Sequence, residues 1–168
     1  VQWGDPNYDN PEAGGEAKTV PANLAAVPEN EYSARLDEPA IAKIRTYFET
    51  TASRVAPSDP TTLYRADPYA RAHAFFDGWP IAMTDDEPVA WPVHCYGTVG
   101  VGRGYSPDTG SGAELYTVIG HAPRHLDRNI ALVGRVVEGM EHLSSLPRGS
   151  GALGFYTAEE ADKRTPIV

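Results

Sequence analysis

The chain has 168 residues, a length that fits one domain with a buried core. With 41% apolar residues it is not a disordered segment, and its 16 glycines and 15 prolines leave no room for long helices to dominate. A net charge of −9 excludes nucleic acid and disfavours an anionic membrane surface as partners, since both need a basic face, and no apolar run approaches the roughly 20 residues that span a bilayer.

The chain opens at Val1 without a signal-peptide pattern, in Val1-Gln-Trp-Gly-Asp-Pro6. It closes on Thr165-Pro-Ile-Val168, an apolar run that reads as the start of a strand. Both ends are expected to be cuts through structure. Residues 4–36 are rich in Gly, Pro, Asn, Asp and Glu and are expected to be loop. Asp37-Glu38-Pro39 is a helix start, with an acidic cap before a proline in the first turn, where its missing N–H costs nothing. Ile41, Ile44 and Phe48 then share one face, which predicts an amphipathic helix over 39–54.

Residues 57–92, broken by six prolines from Pro57 to Pro92, are expected to return to loop. Within them Ala74-Phe-Phe-Asp-Gly-Trp-Pro80 reads as an aromatic-anchored turn. From His94 the texture changes to short apolar, β-branched or aromatic runs between turn residues. Strands are predicted over 94–101, 115–119, 130–136, 151–157 and 165–168, with one short helix inside 137–146 ended by Pro147. Many short strands and little helix suggest a barrel or a sandwich.

Several motifs invite chemistry and lose to plainer readings. Gly100-Val-Gly-Arg-Gly104 has the glycines of a phosphate loop, but a loop follows where a helix N-terminus is required. His121 and His125 have a metal-sharing spacing, yet Pro123 between them forbids the helix that would align them. Gly110-Ser-Gly112 lacks the spacing of a nucleophile elbow. Asp85, Asp86 and Glu87 read as a solvated charge run, and the single cysteine, Cys95, as a small core residue that has no partner for an internal disulfide. No metal or cofactor is expected. What remains is a constellation: Tyr116, His125, Leu126 and the flexible 100–112 segment could line a groove for an apolar ring.

The stretch from Tyr96 to Leu143 resembles the cyclophilins. Gly112-Ala-Glu-Leu-Tyr-Thr-Val118 is similar to their Gly-Ser-Gln-Phe-Phe-Ile strand, Leu126-Asp-Arg128 to their Leu-Asp-Gly turn, and Leu132-Val-Gly-Arg-Val-Val-Glu-Gly-Met140 to Val-Phe-Gly-x-Val-x-Glu-Gly-Met. Val1-Gln-Trp-Gly-Asp5 resembles the family's Gln-Gly-Gly-Asp run. The resemblance covers roughly residues 1–6 and 94–168, leaving 7–93 as a long loop-and-helix insertion in a single partial domain over 1–168. It implies a mainly β fold, a cyclophilin-like antiparallel β-barrel with few helices, incomplete at the N-terminus. It also implies the activity, peptidyl-prolyl cis/trans isomerisation in proline-containing polypeptides. The alternative is a non-catalytic proline-peptide-binding or scaffolding module of the same fold.

By the same resemblance the catalytic arginine precedes Val1, Gln2 contacts the substrate backbone, and Gly102 and Arg103 align the peptide. Tyr116 takes the place of the phenylalanine pocket floor and Leu126 that of a leucine wall. The departures are Glu114 for a glutamine, His125 for a tryptophan with Arg124 inserted before it, and Ile130 for a pocket histidine. Glu114 exchanges an amide that donates and accepts for a carboxylate that only accepts when ionised. Relatives with such insertions are often exported, so a periplasmic or extracytoplasmic location is expected. The oligomeric state is not set by any of these features.

Overall fold

The computed structural model describes residues 1–5, 7–8, 16, 18–52, 67–84 and 88–166. Eight strands form two four-stranded sheets, with every strand pair antiparallel. The first sheet has the order β1-β7-β6-β8, built from β1 (Gln2–Gly4), β6 (Thr98–Val101), β7 (Glu114–Thr117) and β8 (Leu132–Arg135). The second has the order β2-β5-β4-β3, from β2 (Ala34–Arg35), β3 (Ala72–Phe76), β4 (Trp79–Met83) and β5 (Val89–Pro92). Mainly antiparallel sheet with few helices is the expected class, but the expected barrel is not closed. Among the described residues β1 pairs only with β7 and β8 only with β6, so the first sheet keeps two edges.

The predicted helix is α1 (Glu38–Ala52), and its start is capped as the sequence suggests: Asp37 Oδ1 accepts from the Ala40 N–H at 2.9 Å. Ile44 is buried, in a cluster with Ala74, Met83 and Ala90, and Phe48 packs against its edge. The helix therefore lies against the second sheet. Residues 57–92 are not the expected loop: 57–66 and 85–87 lie outside the described residues, and the rest holds β3, β4 and β5. The aromatic-anchored turn is the tip of the β3–β4 hairpin. Asp77 and Gly78 both have positive φ, 49° and 79°, the two-residue geometry whose twist matches its strands. Pro80 pairs with Phe75 one step beyond the turn-closing pair Phe76–Trp79, so its missing N–H falls where β3 needs no donor.

The run predicted as a strand over 94–101 forms only β6. A turn at Tyr96-Gly97 interrupts it, with Gly97 at φ 84° and Thr98 returning both its N–H and its hydroxyl to the Cys95 carbonyl. β7 and β8 fall inside the runs expected over 115–119 and 130–136 to within a residue, and the short helix is α2 (Met140–Ser145). Residues 18–36 are mostly loop, as expected, apart from a 3-10 turn at Glu29–Glu31 and the two residues of β2. The strands expected over 151–157 and 165–168 are absent from the described residues. Ala152–Gly154 and Ala158–Lys163 are 3-10 turns, the second started by a capping box between Thr157 and Glu160. Two backbone hydrogen bonds, Gly149 N to Gly154 O and Gly151 N to Phe155 O, fold this glycine-rich segment on itself before it can join a sheet. Residues 167–168 lie outside the description. Among the described residues no helix is long and apolar enough to cross a membrane.

Candidate functional site

Strand register decides which candidates meet. Gln2 and Gly100 both stand opposite Tyr116, on β1 and β6 respectively, and Gly4 stands opposite Glu114. Cross-strand partners share a face, and so do residues two apart in a strand. Gln2, Glu114 and Tyr116 therefore project from one face of the first sheet, with Gly100 beneath the tyrosine. The opposite face carries Val101 and Leu115, which pack with Tyr32, Val27 and Ala131 into core.

Gly100 has a steric reason to be glycine. A Cβ there would fall 2.4 Å from Cζ and Oη of Tyr116, so the ring crosses this position closely. The hydroxyl ends 2.8 Å from His94 Nε2. His94 is fully buried, and both its backbone N–H and its Nδ1 lie 3.0 Å from Asp127 Oδ1. An ionised carboxylate only accepts, so Nδ1 carries a proton and donates to Asp127. Arg124 Nε donates to the other Asp127 oxygen at 2.6 Å, and its guanidinium continues to Asp67, which also holds His73 of β3.

Electrostatics follow the same chain. Burial pushes the Asp127 carboxyl up, but the hydrogen bonds from the His94 ring, the His94 backbone and Arg124 outweigh it and hold it below the ordinary carboxylate range. Burial, then the Asp127 charge, pushes the Tyr116 phenol well above its ordinary value, so it stays protonated.

The other expected residues occupy distinct positions. Gln2 Nε2 donates to Glu114 Oε1 at 3.0 Å, so the substituted carboxylate orients the amide beside Tyr116. Gly102 extends the ladder, its N–H bonding Glu114 O at 2.8 Å, and that donor is not available to a peptide. Arg103 is fastened into its own loop, with Nε on Asn129 O and Nη1 on Asp108 O, both at 3.0 Å. Gly102, Arg103 and Glu114 line a narrow cleft with Tyr8 across it. A larger cavity of about 460 Å³ adjoins it, between residues 20–26 and 107–111. His125 and Leu126 lie on the 3-10 turn Arg124–Leu126, the first exposed and the second half-buried. Asp127, at the end of that turn, joins it through His94 to Tyr116. Among the described residues no three His, Cys, Asp or Glu side chains gather as a metal-binding group.

Sequence reasoning missed His94 and Asp127, and it placed Gly100 in a flexible segment, whereas Gly100 lies in β6. The available signal was the tyrosine itself: a partly buried phenol where a phenylalanine is expected calls for a hydrogen-bond partner.

A tethered aromatic ring on a sheet face, flanked by an amide and a carboxylate, has the chemistry to hold a small apolar group without forming a covalent bond. The family model described as cyclophilin type peptidyl-prolyl cis-trans isomerase/CLD matches residues 1–165, and the chain belongs to that family. Among solved structures the chain is similar to the cyclophilin AquaCyp293 from Hirschia baltica, at 21% identity and a TM-score of 0.47. That match covers 74% of this chain and 43% of the other, so the chain spans less than half the length of that cyclophilin. No curated protein matches the chain.

Proposed function

We propose that the protein isomerises X-Pro peptide bonds in proline-containing polypeptides and that the proline ring is held on the Tyr116 face of the first sheet. The reaction must lower a barrier of about 18–20 kcal/mol set by amide resonance. Gripping the proline ring while the preceding carbonyl rotates needs an apolar floor and a polar rim, and no covalent intermediate. Tyr116 supplies the floor, Gln2 and Glu114 supply polar groups beside it, and the 102–112 loop closes the rim. The observation that carries this reading is the register Gln2–Tyr116–Gly100, which puts a fixed ring and the matching family glutamine on one face.

A donor to the prolyl nitrogen would weaken the C–N double-bond character that sets the barrier. The Tyr116 hydroxyl is turned to His94 and the Arg103 guanidinium is held by loop carbonyls, so neither is that donor. The same facts favour the second reading, a module that binds proline peptides without accelerating their isomerisation.

Exchange spectroscopy on an Ala-Ala-Pro-Phe peptide separates the two. An isomerase speeds cis/trans exchange at substoichiometric protein, and Tyr116→Ala lowers kcat/KM by roughly 10-fold or more, because the floor acts on the rotating state. The alanine variant must still unfold cooperatively for that result to count. Saturable binding with exchange at the uncatalysed rate establishes the binding module instead. An unchanged kcat/KM in folded Tyr116→Ala places the floor elsewhere.

A further inference from the structure

Tyr116 is held at both ends of its ring. The backbone of β6 passes close beneath it at Gly100, and His94 takes its hydroxyl at 2.8 Å. His94 cannot turn away, because it is fully buried and makes two 3.0 Å hydrogen bonds to a single Asp127 oxygen. Asp127 is fixed in turn by Arg124 Nε at 2.6 Å. The His94 and Tyr116 rings lie nearly parallel, 9° apart, with their centroids 6.2 Å apart. An aromatic side chain with no such tether must be ordered when a ligand lands on it, and that ordering weakens binding.

We propose that His94 and Asp127 are positioning residues for peptide recognition, locking the Tyr116 ring through its hydroxyl into the orientation that receives a proline ring. The proposal rests on Tyr116 being the floor of the peptide site. It differs from a purely apolar floor in one consequence. Removing the hydroxyl alone affects binding, and His94 matters only while that hydroxyl is present.

A double-mutant cycle on the whole chain tests this, reading the Kd for Ala-Ala-Pro-Phe by titration calorimetry with Ala-Ala-Ala-Phe as control. Tyr116→Phe and His94→Gln each weaken proline-peptide binding about 3–10-fold, the worth of one buried hydrogen bond, and the double variant is no weaker than the poorer single variant. Circular dichroism at the titration temperature confirms that each variant is folded, and coupling of this kind is not produced by general loss of stability. Fully additive effects, or unchanged affinity in Tyr116→Phe, overturn the proposal.

Should His94→Gln fail to fold, the imidazole nitrogen signals of the parent and of Tyr116→Phe carry the test. Nε2 shifts and Nδ1 does not when the hydroxyl is removed, and an unmoved Nε2 overturns the tether. A parent protein that binds both peptides equally removes the peptide reading and the positioning role with it, whereas selective binding with additive variants removes the positioning role alone.

Discussion

Asp127 accepts from a histidine ring, from that histidine's backbone and from Arg124, while only 9% of the residue meets solvent. Its carboxyl is held below the usual range, so the ionised form is worth more in the folded chain than in the unfolded one. That contribution is fully present above the unfolded value of about 3.9 and is lost as pH falls through the lower folded value. Asp127→Asn is therefore less stable than the parent near neutrality, and the gap in Tm narrows as pH drops below about 4. Thermal unfolding from pH 7 to 2 reads this directly, and a gap that stays constant with pH would mean that the carboxylate charge is not what Asp127 contributes. At this scale the sequence was half legible. Gln2 and Tyr116 stand out by matching a motif, whereas His94 and Asp127 are 33 residues apart and only the folded chain brings them together.

The β3–β4 hairpin illustrates why whole elements were misread. Six prolines between 57 and 92 argue for loop, but Pro80 occupies a non-hydrogen-bonded pair with β3 and Pro92 ends its strand, positions where a missing donor costs little. The stronger signal was Asp77-Gly78 between aromatic flanks, a two-residue turn with both φ positive. A Cβ on Gly78 would meet no atom nearer than 3.5 Å, so the glycine is required for its conformation and not for space. Gly78→Ala should cost about 1–2 kcal/mol through left-handed strain, or roughly 2–8 °C in Tm for a chain of this size. A Tm equal to the parent's would show that this turn does not set the hairpin. The C-terminal segment fails in the opposite direction: its apolar and aromatic residues read as strand, but closely spaced glycines let it bond to itself in 3-10 turns. The helix α1 was legible because cap, proline and apolar spacing all agree.

Across the whole molecule, the segment read from the sequence as a loop-and-helix insertion, 7–93, is more than a loop and a helix. It contributes all the strands of the second sheet and the helix packed on them, and Asp67 links it to the site through Arg124. Sequence alone shows a long departure from the family pattern there. It gives no hint that a carboxylate in the departure would complete a chain of contacts ending at the candidate pocket floor. The first sheet carries Gln2, Glu114 and Tyr116 on one face and core on the other, and this division makes a definite claim about where a peptide sits. Chemical-shift mapping of the isotope-labelled chain with Ala-Ala-Pro-Phe, against the Ala-Ala-Ala-Phe control, tests that claim most directly. The account predicts proline-dependent perturbations at Gln2, Gly100, Glu114, Tyr116 and His94, with Val101 and Leu115 on the opposite face much less affected. Perturbations centred on the second sheet, or the same for both peptides, would contradict it.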